Sequence, residues 1–276
     1  KKNLKKKRKQ TYKVNKFLSL VKSGKINYIL NKLLNISINQ NLAYCVFFGT
    51  IACYNFIKYG LEAEKYFLVA NQYHKGIQFF SFVALGFALY HGYFLSLNVW
   101  MGVGGLTLLT GLYALPVLPN AKNMRSWGGL KIFFVALVWA GATVLLPVLS
   151  ANQLITWDIG VGIFQRFVLI LILLIPFEIR DLAYDKVELK TLPQRYGVTN
   201  TKIFGGFATL VFFFITFLID DLSIEELVLK GILFLVLGIM IFITKRNQSK
   251  YFASFWVEAI PIWCWGFMLI LPQQWS

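Results

Sequence analysis

The chain has 276 residues, of which 57% are hydrophobic and 14% are charged, against about 25% charged residues in typical soluble domains. This composition excludes an ordinary soluble domain and points to a lipid environment. The net charge of +16 is concentrated at the start, because residues 1–35 hold twelve of the 28 Lys and Arg residues and no acid. Next to apolar spans, such a tail is expected to face the lipid bilayer from the cytosol, and no nucleic acid partner is expected.

Apolar runs of about twenty residues, the length that a helix needs to cross the hydrocarbon core, recur along the chain. Because lipid offers the backbone no hydrogen-bond partner, these runs are predicted to be helices. The predicted fold class is an all-α integral membrane bundle of eight to nine transmembrane helices. Residues 1–35 are predicted to be a basic N-terminal tail with a possible interfacial helix, and residues 36–276 one transmembrane helical domain. The eight runs are 41–57, 77–95, 97–118, 130–150, 159–177, 203–219, 227–244 and 255–271.

The connections between these runs alternate in charge, which predicts their side of the membrane, since basic connections stay in the cytosol. We therefore expect a bacterial inner-membrane protein whose basic connections, and any site built from them, face the cytosol. The run 41–57 must then enter the membrane from outside, whereas the basic tail before it belongs in the cytosol. To resolve this conflict, residues 17–39 are either a polar ninth helix or an amphipathic helix at the membrane surface. The basic connections are 58–76, 119–131, 178–202 and 245–254, and the acidic ones are 151–158 and 220–226.

The stretch EIRDLAYDKVELKTLPQRYG, residues 178–197, concentrates charge directly after an apolar run. Asp181 and Asp185 are four residues apart, which on a helix puts both carboxylates on one face. Carboxylates stacked in this way favour a shared cation, and Mg²⁺ takes one or two carboxylates together with phosphate oxygens. The candidates for holding phosphate charge are then the interleaved cations Arg180, Lys186, Lys190 and Arg195. The alternative is a solvated cytosolic loop with internal ion pairs.

The string RDLAYDKVELKTLPQRYG resembles the second aspartate-rich motif of the UbiA superfamily of membrane prenyltransferases. In that family an Arg-Asp step, a second Asp four residues on, Thr-Leu-Pro and a Gly follow one another. This sequence lacks the family's glycine after the second Asp and has one residue fewer before Thr-Leu-Pro. The resemblance implies that Asp181 and Asp185 are catalytic metal ligands. The matching residues are Arg180, Asp181, Asp185, Thr191, Leu192, Pro193 and Gly197.

The segment LYALPVLPNAKNMRSWGGLKI, residues 112–132, is similar to the end of the family's fourth helix and the basic loop after it. Tyr113 matches the family's tyrosine, and the resemblance implies a catalytic position for it. Lys122, Arg125 and Lys131 occupy the places of basic residues that contact the diphosphate in the family. A compact cluster of Lys and Arg suits phosphate oxygens on physical grounds as well.

The family's first aspartate-rich motif is degenerate in the segment CYNFIKYG, residues 53–60. Asn55 matches, but Phe56 and Tyr59 stand where the family has aspartates. Lys58 adds a positive charge that can contact the diphosphate directly, so Asn55 and Lys58 are both predicted to bind substrate. The loss of two carboxylates is expected to weaken Mg²⁺ binding.

The resemblance extends over residues 41–271 and implies transfer of an isoprenyl group from a prenyl diphosphate to a hydrophobic acceptor, often an aromatic ring, with Mg²⁺. A prenyltransferase of this type is the leading hypothesis. Two alternatives stay open: a catalytically impaired UbiA-like protein that binds an isoprenoid or serves as a scaffold, and a transporter. The transporter is suggested only by the polar residues Arg166, Lys230 and Glu258 within apolar runs.

Overall fold

The structure is a computed structural model that describes residues 39–56, 72–114, 129–182, 190–220, 222–249, 251–257, 259–260 and 263. Throughout this described part, all regular structure is helical, as predicted. The chain divides into two compact units, one of residues 1–121 with 145–154 and the other of residues 122–144 with 155–276. The basic tail and residues 17–38 lie outside the described residues, so their relation to the membrane stays a prediction.

In the first unit, helix α1 (Gln40–Asn55) packs along helix α2 (Gln72–Tyr93), and helix α3 (Leu97–Ala114) follows after a short turn. At this turn the indole N–H of Trp100 donates to the carbonyl of Gly92 (2.9 Å). A Cβ at position 92 would lie 2.6 Å from the indole ring, so this close approach requires glycine. The apolar core of the unit consists of Leu42, Cys45, Leu95, Val99 and Leu146.

Helix α4 (Leu130–Ser150) changes its hydrogen-bond pattern midway, where Gly141–Leu145 form a π-helical turn. Pro147 follows closely and has no N–H to donate, so a regular α-helical ladder cannot run unbroken through this position. The division between the two units falls within this helix.

The second unit contains α5 (Trp157–Asp181), α6 (Leu192–Phe214) and α7 (Ile224–Ile243). Hydroxyl side chains cap the first turns of α5 and α7, those of Thr156 and Ser223. The three helices share one apolar core, and α5 also packs on the first half of α4. The most deeply buried side chains of this core are Ile172, Ile175, Ile179, Leu237 and Val257.

A buried glutamine joins α5 to the end of α6. Gln165 donates through Nε2 to the hydroxyl of Thr216 (2.8 Å) and to the carbonyl of Phe212 (3.0 Å). An amide without partners is costly inside an apolar bundle, so these bonds favour one register of the two helices.

Within the described ranges, four helices are long and apolar enough to cross a membrane, and they overlap four of the predicted runs. Many large apolar side chains lie on the outside of the described helices, as expected for contact with lipid. The predicted count of eight to nine transmembrane helices stays a prediction. The four helices are Leu130–Ser150, Trp157–Asp181, Leu192–Leu218 and Ile224–Ile243.

The prediction that residues 178–202 form one connection was wrong at both of its ends. α5 continues to Asp181, and α6 begins at Leu192. Pro193 lies in the first turn of α6, where its fixed φ and missing N–H favour a helix start, and Thr191 precedes it as the cap residue. Charge content alone therefore misplaced the helix ends.

We expect Gly205→Val to destabilise the second unit, because a Cβ at this position of α6 would lie 3.0 Å from Ile175 and 3.1 Å from Ile241. Overpacking of an interior contact costs about 1–3 kcal/mol. Gly206→Val is the matched control, since a Cβ there meets nothing within 4 Å. Thermal unfolding of the full chain in detergent measures both variants, and equal melting temperatures would contradict close packing at Gly205.

Candidate functional site

The last turns of α5 carry the first charges of the predicted second motif. Glu178, Arg180 and Asp181 follow helical turns that are apolar and largely buried. One turn before Arg180, the carbonyl of Pro176 accepts a hydrogen bond from the side-chain amide of Gln248 (2.8 Å). The end of α5 therefore places charged groups at the edge of the apolar core, and a later segment of the chain contacts it there.

Glu178 points into the second unit and binds a lysine from α4. Its Oε1 accepts from Nζ of Lys131 (3.1 Å), and the side chains are 5% and 30% exposed, respectively. Lys131 lies in the first turn of α4, where the helix dipole disfavours a positive charge, and the carboxylate offsets this effect. The pair gives a buried carboxylate a partner and fixes the position of one predicted substrate-binding cation.

Arg180 donates to two partners through three nitrogen atoms. Nε and Nη2 donate to the two carboxylate oxygens of Asp181 (2.7 and 2.9 Å), and Nη1 donates to the hydroxyl of Ser254 (2.9 Å). The guanidinium carbon lies 5.0 Å from the centre of the Phe177 ring, within cation–π range. The side chain of Arg180 is 17% exposed and that of Asp181 is 38% exposed, so the carboxylate is the more accessible member of the pair.

Ser254 was not among the predicted site residues. It belongs to the C-terminal π turn (Phe252–Val257), whose first and last side chains pack in the core of the second unit. The contact with Arg180 joins two residues 74 positions apart in the sequence. A lone serine at the end of the predicted connection 245–254 carries no motif signal, so only the packing of the last segment on α5 identifies it.

The Thr-Leu-Pro step of the motif begins α6. The side-chain oxygen of Gln194 accepts from the backbone N–H of Thr191 (2.9 Å), half of a capping box, and Pro193 occupies the first turn. Gly197 then interrupts α6 with φ 78° and ψ 165°, a conformation that essentially only glycine adopts. These motif residues therefore start and bend the helix that follows the charged segment.

The structure places three of the predicted site residues in two separate ion pairs at the end of α5, Lys131 with Glu178 and Arg180 with Asp181. Asn55 lies in the first unit, where it is buried and its amide donates to the hydroxyl of Ser81 (2.9 Å). Lys190 is exposed and adopts a φ of 45°. The remaining predicted site residues lie outside the described ranges, so their placement stays a prediction. They are Lys58, Lys122, Arg125, Asp185, Lys186 and the side chain of Tyr113.

The oxygens of Asp181 suit Mg²⁺, which binds carboxylates and completes its shell with phosphate oxygens or water. Among the residues that the structure describes, no group of three or more His, Cys, Asp or Glu side chains is placed to hold a metal ion. Phe56, where the family has an aspartate, is 42% exposed and offers no ligand. Asp181 therefore fits as one metal ligand, and its predicted partner Asp185 lies in residues 183–189, outside the described ranges.

No protein-family model matches the sequence, and no curated protein sequence matches it. Among solved structures, the chain is similar to a UbiA homologue from Archaeoglobus fulgidus bound to GPP and Mg²⁺. The similarity has a TM-score of 0.55 and covers 94% of this chain and 99% of that chain, at 14% sequence identity. The chain therefore has a UbiA-like fold, which confirms the resemblance inferred from the motifs. Together with four helices long and apolar enough to cross a bilayer, this fold indicates an integral membrane protein.

We expect Lys131→Met to destabilise the second unit, because the buried carboxylate of Glu178 loses its lysine partner. The expected loss is roughly 1–3 kcal/mol, less than the about 3–5 kcal/mol of a fully buried pair, because Lys131 is 30% exposed. Denaturant unfolding in detergent measures this loss, and adding Glu178→Gln should recover part of it. Lys245→Met, at an exposed lysine of the same unit, is the matched control. Similar losses in the two lysine variants would contradict a specific role for the pair.

Proposed function

We propose that the chain is a membrane-embedded prenyltransferase-like protein that transfers an isoprenyl group from a prenyl diphosphate to a hydrophobic acceptor, such as an aromatic ring. The observation that carries the proposal is that two ion pairs, Lys131–Glu178 and Arg180–Asp181, lie at the end of α5 in a chain with a UbiA-like fold. The UbiA homologue of similar structure is bound to GPP and Mg²⁺. Cations and a carboxylate are the groups that a diphosphate and its metal ion would require.

Cationic side chains are proposed to bind the diphosphate. Lys131 supplies a compact ammonium charge, while the planar guanidinium of Arg180 suits two phosphate oxygens at once. Stabilising the negative charge that grows on the leaving diphosphate lowers the barrier to breaking the carbon–oxygen bond. The further residues proposed to bind the substrate are the neutral amide of Asn55 and the cations Lys58, Lys122, Arg125, Lys186 and Lys190.

Asp181 and Asp185 are proposed to hold Mg²⁺, which, when bound, would neutralise charge on the diphosphate as a Lewis acid. Asp181 lies at the edge of an apolar core, where a ligand with an apolar tail and an anionic head would place its head. The apolar side chains of the bundle would keep water away from the allylic cation while the new bond forms. Tyr113 is proposed as a further catalytic residue.

The proposal includes an arrangement in the membrane. Residues 36–276 would form eight to nine transmembrane helices, with residues 1–35 as a basic tail. The site would face the cytosol of a bacterial cell at its inner membrane. The alternation of basic and acidic connections supports this orientation, and the four long apolar helices support the membrane location.

A second candidate function is binding without turnover, by a UbiA-like protein that holds an isoprenoid or a protein partner. The degenerate first motif favours it, because Phe56 stands in place of a carboxylate and the amide of Asn55 is bonded to Ser81. Tight binding of a prenyl diphosphate with no divalent ion and no product would distinguish this function from transfer.

We expect the full chain in nanodiscs to convert radiolabelled geranyl diphosphate and an aromatic acceptor into a prenylated product in the presence of Mg²⁺. Asp181→Asn should lower the rate about 100-fold, since it removes a charged ligand that acts at the leaving group. Asp220→Asn is the matched control. Asp220 is exposed, and its backbone N–H contacts Asp158 at the opposite end of α5.

The same assay contains the outcomes that would refute the proposal. Product that forms equally well in the presence of a chelator would refute the role of Mg²⁺, and an unchanged rate in Asp181→Asn would refute the assignment of this ligand. Binding of geranyl diphosphate without product, over a panel of quinone precursors, would replace transfer by the second candidate function.

A further inference from the structure

Arg180 is held on several sides at the end of α5. Asp181 accepts from two of its nitrogen atoms, Ser254 accepts from the third, and the Phe177 ring lies 5.0 Å from the guanidinium carbon. These contacts hold the guanidinium in one orientation before any ligand binds. The rotamer entropy of the arginine side chain is therefore already lost when a ligand arrives. Such a preorganised cation can bind an anionic ligand in addition to neutralising the carboxylate of Asp181.

Both carboxylate oxygens of Asp181 accept hydrogen bonds from Arg180. Arg180 uses two of the about four lone-pair sites of this carboxylate, and a divalent ion bound at the others would repel the guanidinium, because two cations at one carboxylate repel each other. This repulsion favours the release of at least one bond from Arg180 to Asp181 when a metal ion binds there. The bond to Ser254 is not in this competition, because it uses Nη1 and a neutral hydroxyl.

We propose that Ser254 is a positioning residue that retains Arg180 while the Nε and Nη2 edge of its guanidinium passes from Asp181 to phosphate oxygens. The inference rests on the proposed function of the same site. In the exchange, the metal ion takes the carboxylate, and the diphosphate takes the guanidinium edge that the carboxylate releases. One ion pair is replaced by two, and no covalent bond changes.

This exchange couples the binding of the two ligands. With the metal ion alone, the guanidinium loses acceptors and gains a positive neighbour. With the diphosphate alone, the carboxylate of Asp181 loses its donors and lies beside an anion. When both ligands bind, every charged group has a partner again. Each ligand must therefore raise the affinity for the other by the same factor, because coupling is reciprocal.

The position of Ser254 is set by packing that is independent of Arg180. Within the C-terminal π turn, Val257 is buried in the core of the second unit and Phe252 packs against that core. A π turn directs side chains differently from a regular helix, and such turns are frequent at functional sites. The hydroxyl is therefore a fixed point at which Arg180 stays anchored when its other bonds are exchanged.

The test measures the binding of Mn²⁺, a spectroscopic substitute for Mg²⁺, and of inorganic pyrophosphate to the full chain in detergent. Electron paramagnetic resonance follows Mn²⁺ and calorimetry follows pyrophosphate, each with and without the other ligand. For the unmodified chain we expect each ligand to tighten the other by about 10-fold or more, within the usual range of about 5–150-fold. Ser254→Ala should weaken pyrophosphate binding roughly 5-fold, the equivalent of one hydrogen bond, and leave the affinity for Mn²⁺ alone unchanged.

Arg180→Gln separates the two effects of the arginine. The variant should bind Mn²⁺ alone more tightly than the unmodified chain, because Asp181 is freed from its competitor, and it should lose most of the coupling. Arg180→Lys keeps the charge but not the two-pronged geometry, so an intermediate coupling is expected. Arg246→Gln and Ser249→Ala are the matched controls at exposed positions of the second unit, and thermal unfolding verifies that each variant is folded.

The inference is overturned if Arg180→Gln binds Mn²⁺ alone no better than the unmodified chain and keeps the full coupling. It is also overturned if Ser254→Ala leaves pyrophosphate binding unchanged. These binding results do not depend on turnover. If the chain shows the coupling but makes no prenylated product, the inference stands and the proposed transferase activity is refuted. If the chain makes product without the coupling, the transferase activity stands and the inference is refuted.

Discussion

A charged side chain at the edge of an apolar core must have a partner, because burying it alone costs several kcal/mol. The last turn of α5 places Glu178, Arg180 and Asp181 at such an edge, and partners come from distant parts of the chain. Lys131 arrives from the start of α4, and Ser254 from the C-terminal π turn. These contacts hold α4, α5 and the last segment in one arrangement. The geometry of the candidate site is therefore a consequence of charge pairing.

The same constraint acts at the other end of the second unit. Lys230 is only 8% exposed, and the carboxylates of Glu226 and Asp158 attract its charge. Gln165 is likewise bonded within the bundle. Three of these polar residues carry charge on helices long enough to cross a membrane, and the attraction between their opposite charges offsets part of the cost of burial. Pairing of this kind favours a structural role for Lys230 and weakens the argument for a transporter, in which such groups would line a polar pathway.

The four described helices that are long and apolar enough to cross a membrane were predictable, because the width of a bilayer imposes a length of hydrophobic sequence that few other structures require. Their ends were less predictable. Charge in residues 178–202 suggested one polar connection, yet α5 keeps its helical form through Glu178 because Lys131 compensates the buried carboxylate. α6 starts early because Thr191 and Pro193 favour a helix start, and Gly197 permits the bend that follows. Local caps and tertiary pairing decided these ends against the average polarity of the segment.

The candidate site was predictable only where its residues are close together in the sequence. Arg180 and Asp181 are adjacent in the sequence, so a motif can specify both, and the resemblance also indicated Lys131. The partners of these residues were not predictable from any spacing. Glu178 meets Lys131 across 47 positions and Ser254 meets Arg180 across 74.

The sequence by itself determined that the chain is helical, rich in membrane-length apolar segments and charged at one helix end, because composition and periodicity act within single elements. The tertiary structure alone decided which charges pair and which hydroxyl holds the arginine. A hydrogen bond needs its two atoms within about 3 Å, and between distant elements only the packing of the helices sets that distance.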